Sequence, residues 1–124
     1  MHRSRIDGIF IDHPPQSFAA SVAFWAAATG RTPTTSDDPY RSLGAFGGDV
    51  IIDVQRVGET TAPRIHLDIA TDDVDAEAER LEKLGATRVR RFDRYWQMRD
   101  PGGLIFCVIP PHTDDFLENA TTWS

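Results

Sequence analysis

From Arg64 to Ala70 the chain alternates: Ile65, Leu67 and Ile69 are separated by His66 and Asp68, and the run dissolves into Thr71-Asp72-Asp73. A period of two marks a strand with one face on a core. Here the second face carries an imidazole and a carboxylate. Directly after it, Val74, Ala78, Leu81 and Leu84 fall on one helical stripe. Asp72 and Asp73 supply a cap and a negative first turn, Glu79 and Lys83 pair across a turn, and Gly85 ends the helix. An earlier helix is predicted behind Pro15 and Ser17, with Phe18, Val22 and Trp25 on one face and Gly30 as its stop.

Each helix sits among short β-prone runs. Arg5 to Asp12 precedes the first helix and the Arg64 run precedes the second. After the first come Arg31 to Thr35, Tyr40 to Phe46 and Val50 to Val57; after the second come Thr87 to Phe92, Tyr95 to Arg99 and Leu104 to Ile109. Turn residues punctuate them at Asp37-Asp38-Pro39, Gly47-Gly48-Asp49, Asp93 and Asp100-Pro101-Gly102-Gly103. Strand, helix and three strands thus occur twice. Arg5-Ile6 answers Arg64-Ile65 at an offset of 59, while Gly30 answers Gly85, and Gly47-Gly48 answers Gly102-Gly103, at 55. The pattern predicts an α+β fold of two tandem βαβββ modules, residues 4–58 and 63–110, with a tail over 111–124. The sheet is expected to be mixed, cupped and barrel-like, with one helix outside each module.

Strand parity then sorts the side chains. Ile65, Leu67 and Ile69 belong on the helix side, so His66 and Asp68 face away from it. The same rule puts Asp7, Ile9 and Ile11 forward, with Ile6, Gly8 and Phe10 behind. Asp53 and Gln55 come forward with Ile51, and Cys107 with Ile105 and Ile109. Tyr95 and Trp96 are neighbours, so one faces the hollow and the other the helix side; Trp96 is core or a stacking wall for a flat ligand. Apolar walls with a few convergent polar groups suit a small organic molecule. His66 is the candidate acid or base, Asp68 its orienting neighbour, and Asp7 a carboxylate able to bond the imidazole.

Composition narrows the class. The chain has 124 residues, 40% hydrophobic and 26% charged, as one ordinary soluble domain does. Its net charge of −6 disfavours nucleic acid and anionic membranes. The arginines at 88, 90, 91, 94 and 99 are read as a solvated edge. Cys107 is the only cysteine, which fits a reducing compartment. The basic start MHRSR leads into no apolar stretch of signal length, and the longest apolar run, Val22 to Ala28, is too short to span a bilayer. A cytoplasmic protein is expected.

Taken in order, Phe24-Trp25 before Gly30, Val54-Gln55-Arg56-Val57, His66-Leu67-Asp68 leading to Asp72-Asp73-Val74-Asp75, Leu84-Gly85-Ala86, Trp96 ahead of Asp100-Pro101-Gly102-Gly103, and Phe106-Cys107-Val108 are familiar. From about Arg5 to Pro110 the chain resembles the vicinal oxygen chelate superfamily, which includes glyoxalase I, bleomycin-resistance proteins and extradiol dioxygenases. It is similar to the small glyoxalase-like domains of actinobacteria. The resemblance implies a divalent ion held from the first and fourth strands of each module, positions that fall here on Asp7, Asp53 (whose face Gln55 shares), His66 and Cys107. It also implies His or Gln at the starts and Glu at the ends, yet none of the five glutamates lies on a cavity strand, and Cys107 stands where the last carboxylate would be. The expectation is therefore a glyoxalase-like binder of a small organic molecule with a degenerate metal site and no obligatory cofactor. Its ligand contacts would be Asp7, Asp53, Gln55, His66, Trp96 and Cys107. The alternative is a lyase or isomerase that uses a divalent metal or an Asp/His acid–base pair, with His66 and Asp68 catalytic, on a carbonyl-containing metabolite. The resemblance further implies a homodimer.

Overall fold

The computed structural model describes residues 1–34, 38–47, 50–111 and 115–124. Among them the fold is mixed α+β, with eight strands and three helices. In chain order these are β1 (His2–His13), α1 (Pro15–Thr29), β2 (Tyr40–Ala45), β3 (Ile51–Arg56), β4 (Arg64–Thr71), α2 (Val74–Lys83), β5 (Thr87–Arg91), β6 (Trp96–Arg99), β7 (Ile105–Ile109), α3 (Phe116–Asn119) and β8 (Thr121–Trp123). Contacts group the chain into two compact units: Gly8–His66, and Met1–Asp7 with Leu67–Ser124. Strands β1 and β4 contribute residues to both.

In the unit Gly8–His66, β1 runs parallel to β3, from Gly8 opposite Ile51 to His13 opposite Arg56. Strand β2 pairs antiparallel on the far side of β3. Helix α1 starts with proline in its first turn, where a missing N–H costs nothing, and ends at Gly30, which takes the left-handed conformation at φ 70°. Its Phe18, Val22 and Trp25 pack with Ile11, Leu43, Ile52 and Val54, so one face of this sheet is covered. The strand expected from Arg31 to Thr35 does not form over residues 31–34. Pro33 has no N–H for a ladder; the segment holds on instead through Thr34 N to Ser42 O (3.0 Å) and Ser42 N to Thr34 Oγ1 (2.9 Å). Thr35, Asp37, Gly48 and Asp49, parts of that strand and of two expected turns, lie outside the described residues.

In the other unit, β4 runs parallel to β7, β6 pairs antiparallel with β7, and β5 antiparallel with β6. The parallel-then-antiparallel order matches that of β1, β3 and β2, so the twofold element pattern of the sequence recurs in the pairing. Helix α2 is capped by Asp73, whose side chain accepts from Ala76 N, and carries Asp75 and Glu77 in its first turn. Ala78, Val74 and Leu81 pack on Leu67, Ile69, Trp96, Met98, Phe106 and Val108. The tail, in which the sequence shows no register, forms α3 and then β8. Strand β8 pairs antiparallel with the start of β1, Trp123 opposite His2 and Thr121 opposite Ser4.

Ion pairs also tie this unit. Glu77 is fully buried, accepting from Arg80 at 2.7 and 2.9 Å and lying 2.7 Å from His2 Nε2. Burial alone would push its carboxyl up, but hydrogen bonds from Arg80, Ser4 and His2 outweigh that and hold it below the ordinary range. Arg80 in turn lies over the Trp123 ring at 3.7 Å. Of the arginine cluster, Arg88 pairs with Glu82 and Arg91 with Asp75 at the surface.

Candidate functional site

Parity in β1 decides what surrounds His66. Asp7 and Gly8 are buried in succession, after which Phe10 and Asp12 are buried alternately. The alternation has slipped by one residue. Before the slip, Ile6 lines an apolar hollow of about 260 Å³ with Leu67, Ile69, Leu81 and Leu84. After it, Ile11, expected to face forward, packs beneath α1, and Phe10, expected behind, turns to the other face. Gly8 leaves room for the Phe10 ring on that face, because a Cβ there would sit 2.9 Å from Phe10 Cε2.

The face of β1, β2 and β3 turned away from α1 therefore holds Phe10, Asp12, Tyr40, Asp53 and Gln55, with His66 at the end of the unit. Phe10 is in register with Asp53, and Asp12 with Gln55. The His66 ring stacks on Phe10 at 4.8 Å between centroids and 6° between planes. Tyr40 meets the Phe10 ring edge-on at 5.9 Å, and Gln55 Nε2 donates to the Tyr40 hydroxyl at 3.5 Å. Asp12, fully buried, lies 2.7 Å from His66 Nδ1 through Oδ2. Arg64 Nε donates to the same oxygen at 3.1 Å. Its other oxygen, Oδ1, has no hydrogen-bond donor among the described residues. A buried carboxylate is tolerable only with such donors around it.

Of the expected site residues, His66, Asp53 and Gln55 thus share one face of this unit. Asp12, Phe10 and Tyr40 join them although the sequence pattern did not single them out. The carboxylate at Nδ1 is that of Asp12, a residue the strand parity had turned away from His66.

Asp7, Asp68 and Cys107 belong to the other unit. Asp68 and Cys107 are in register across β4 and β7, with ligand atoms within 4.8 Å of each other. Burial raises the Tyr95 hydroxyl above its ordinary value, and the neighbouring Cys107 and Asp68 add to the rise. Trp96, expected as core or as a ligand wall, is on the α2 side and packs on the core: it pairs with Val108, as Met98 pairs with Phe106, and its Nε1 donates to Asp75 at 3.1 Å. Gln97 is the β6 residue opposite Cys107, and Tyr95 is the aromatic beside Asp68. The strand's phase settles which of two adjacent aromatics faces which way.

A divalent ion on Asp7, Asp53, His66 and Cys107 is poorly served by this donor set. Asp7 accepts from Arg5 Nη2 at 3.2 Å, and Arg5 also donates to Asp115 at 2.9 Å. Burial opposes the charge on Arg5, but Asp115 and Asp7 more than offset it, so the guanidinium stays charged. A cation at Asp7 would meet that charge directly. The remaining donors mix one thiol, one imidazole and one carboxylate, without the oxygen-rich set a hard ion prefers.

A model of the glyoxalase-like domain family matches residues 8–109. No curated protein matches the chain. Among solved structures, it is similar to the Mn(II)-bound glyoxalase from Novosphingobium aromaticivorans, at 22% identity and a TM-score of 0.61, over 89% of this chain and 40% of that one. It is also similar to a structure described as the NAD-dependent benzaldehyde dehydrogenase from Legionella pneumophila, at 10% identity and 0.64, over 85% and 98%. A mutant of 4-hydroxymandelate synthase from Streptomyces coelicolor aligns at 15% identity and 0.59, over 89% and 49%. The chain thus spans less than half of the glyoxalase and the synthase, and at these identities the likeness is one of fold. Because the family model spans most of the chain and the fold agrees, the chain belongs to the glyoxalase-like domain family of the vicinal oxygen chelate superfamily.

Proposed function

We propose that the protein binds a small organic molecule on the face of β1, β2 and β3 turned away from α1, without an obligatory metal. The observation that carries this is the Asp12–His66 pair, 2.7 Å apart and buried, under the Phe10 ring. An aromatic floor with a few fixed polar groups is how proteins orient small ligands. Asp53, Gln55 and Tyr40 supply the neighbouring polar atoms. The ion pair at Asp7 weighs against a metal-centred site. Asp68 and Cys107, in register across β4 and β7, are polar residues of the other unit.

A second function has support from the same pair. An imidazole held by a carboxylate is the usual arrangement of a general acid or base. In that case the protein is a lyase or isomerase acting on a carbonyl compound, with His66 as its acid or base and Asp12 the carboxylate that holds it. On either view a homodimer in the cytoplasm remains the proposed state. Among the described residues no helix is long and apolar enough to cross a membrane.

Protein purified without chelator should contain well below one divalent ion per chain by elemental analysis. Native mass spectrometry should reveal a bound or titratable organic molecule, its affinity reduced at least about tenfold (~1.4 kcal/mol) by His66→Gln. A stoichiometric divalent ion that disappears in His66→Ala would defeat the metal-independent proposal. Turnover that disappears in His66→Gln without a metal would select the acid–base enzyme.

A further inference from the structure

We propose that Asp12 is a positioning residue: it keeps a proton on His66 Nδ1, so that whatever His66 exchanges with a ligand passes through Nε2. The functional weight of this rests on the ligand-binding role proposed for the same face, but the geometry stands without it. Asp12 Oδ2 lies 3.1 Å from Arg64 Nε and 2.7 Å from His66 Nδ1. A guanidinium can only donate, so Oδ2 is already an acceptor. The short second contact on that oxygen is then satisfied when Nδ1 donates too, as a charge-assisted bond. Because Asp12 is fully buried and His66 nearly so, water does not compete for the contact between them.

Two further contacts hold the ring in the plane this bond requires. Phe10 lies flat against it, 6° from parallel. Gly8 leaves the Phe10 ring its place, since any side chain at Gly8 would press on that ring at 2.9 Å. Asp12 is also anchored from behind, because β1 and β3 pair it with Gln55 in a parallel ladder. The imidazole therefore has its orientation and its tautomer set by groups of one unit, before any ligand arrives. That is the preorganisation a binding or proton-transferring histidine needs.

The test is the protonation of the His66 ring nitrogens in the full chain labelled with 15N. Long-range 1H–15N correlations are recorded in mildly alkaline solution, and His66→Gln identifies the His66 signals. Nδ1 should show the pyrrole-like shift of a protonated nitrogen. Asp12→Asn, which keeps an oxygen acceptor, should retain that shift, and Asp12→Leu should move Nδ1 toward the pyridine-like position while the amide spectrum stays native. Should Asp12→Leu fail to fold, the wild type alone decides, because an unprotonated Nδ1 overturns the proposal. So does a protonated Nδ1 that survives in folded Asp12→Leu. Failure of the ligand-binding proposal is distinguishable, since it would leave Nδ1 protonated in a protein that binds nothing.

Discussion

Replacing Glu77 with glutamine probes the ion network that ties both chain ends to α2. The carboxylate is fully buried and takes three short contacts, two from Arg80 at 2.7 and 2.9 Å and one from His2 at 2.7 Å. The amide of glutamine keeps one acceptor oxygen but turns an NH2 group toward a donor, so at least one charge-assisted bond is lost and one donor faces another. Removing one member of a buried ion pair costs roughly 3–5 kcal/mol. The Arg80 side chain is 25% exposed and His2 10%, so both regain some water, and the lower end, about 3 kcal/mol, is expected. For a domain of this size that lowers the melting temperature by about 10 °C. The pH dependence has a definite sign. The folded carboxyl lies below its ordinary value of 4.5, so its stabilisation is fully present above that value and is lost as pH falls through the folded one. Urea unfolding followed by tryptophan fluorescence at neutral pH, then at successively lower pH, should show the gap between wild type and Glu77→Gln close in that acid window. A gap under about 1 kcal/mol at neutral pH, or one that ignores acid, would refute the reasoning.

Three further outcomes are expected. Met98→Ala should cost about 3 kcal/mol in denaturant unfolding, because Met98 is fully buried between Phe106, Val108 and Ala78. Gly30→Ala should cost about 1 kcal/mol, since Gly30 holds φ at 70° and the space around it is open, which leaves backbone strain as the whole effect. Prolonged dialysis against EDTA should leave the melting temperature within about 1 °C, whereas a bound structural ion would lower it by several degrees.

The sequence pattern was most informative where a helix and a strand share one core. The stripe of Val74, Ala78 and Leu81 and the alternation of Leu67 and Ile69 both point at the same cluster, and they meet there. The order of strands and helices was legible for the same reason, whereas which strands pair was not. The candidate site was less so, because it depends on phase. A repeat offset of 59 set Ile6 of β1 in step with Ile65, but the slip at Asp7-Gly8 moved every later residue to the opposite face. The clue was present: Ile9 and Ile11 are the aliphatic positions and Gly8, Phe10 and Asp12 the odd ones, as His66 and Asp68 are in β4. Applying the same aliphatic rule to both strands finds Asp12. Trp96 was left open by adjacency to Tyr95, and only pairing with β7 fixes its side. The tail's strand was invisible because three residues, Thr121–Trp123, carry no measurable period.

The role of the His66 face is tested most directly by mapping where small molecules land. Backbone amide shifts of the 15N-labelled chain, recorded against a library of carbonyl-bearing and aromatic fragments, should move at Phe10, Asp12, Gln55 and His66, and the movements should vanish in His66→Gln. Shifts that gather instead around Leu81, Leu84 and Leu104, at the apolar hollow beside α2, or that persist unchanged in His66→Gln, would contradict it.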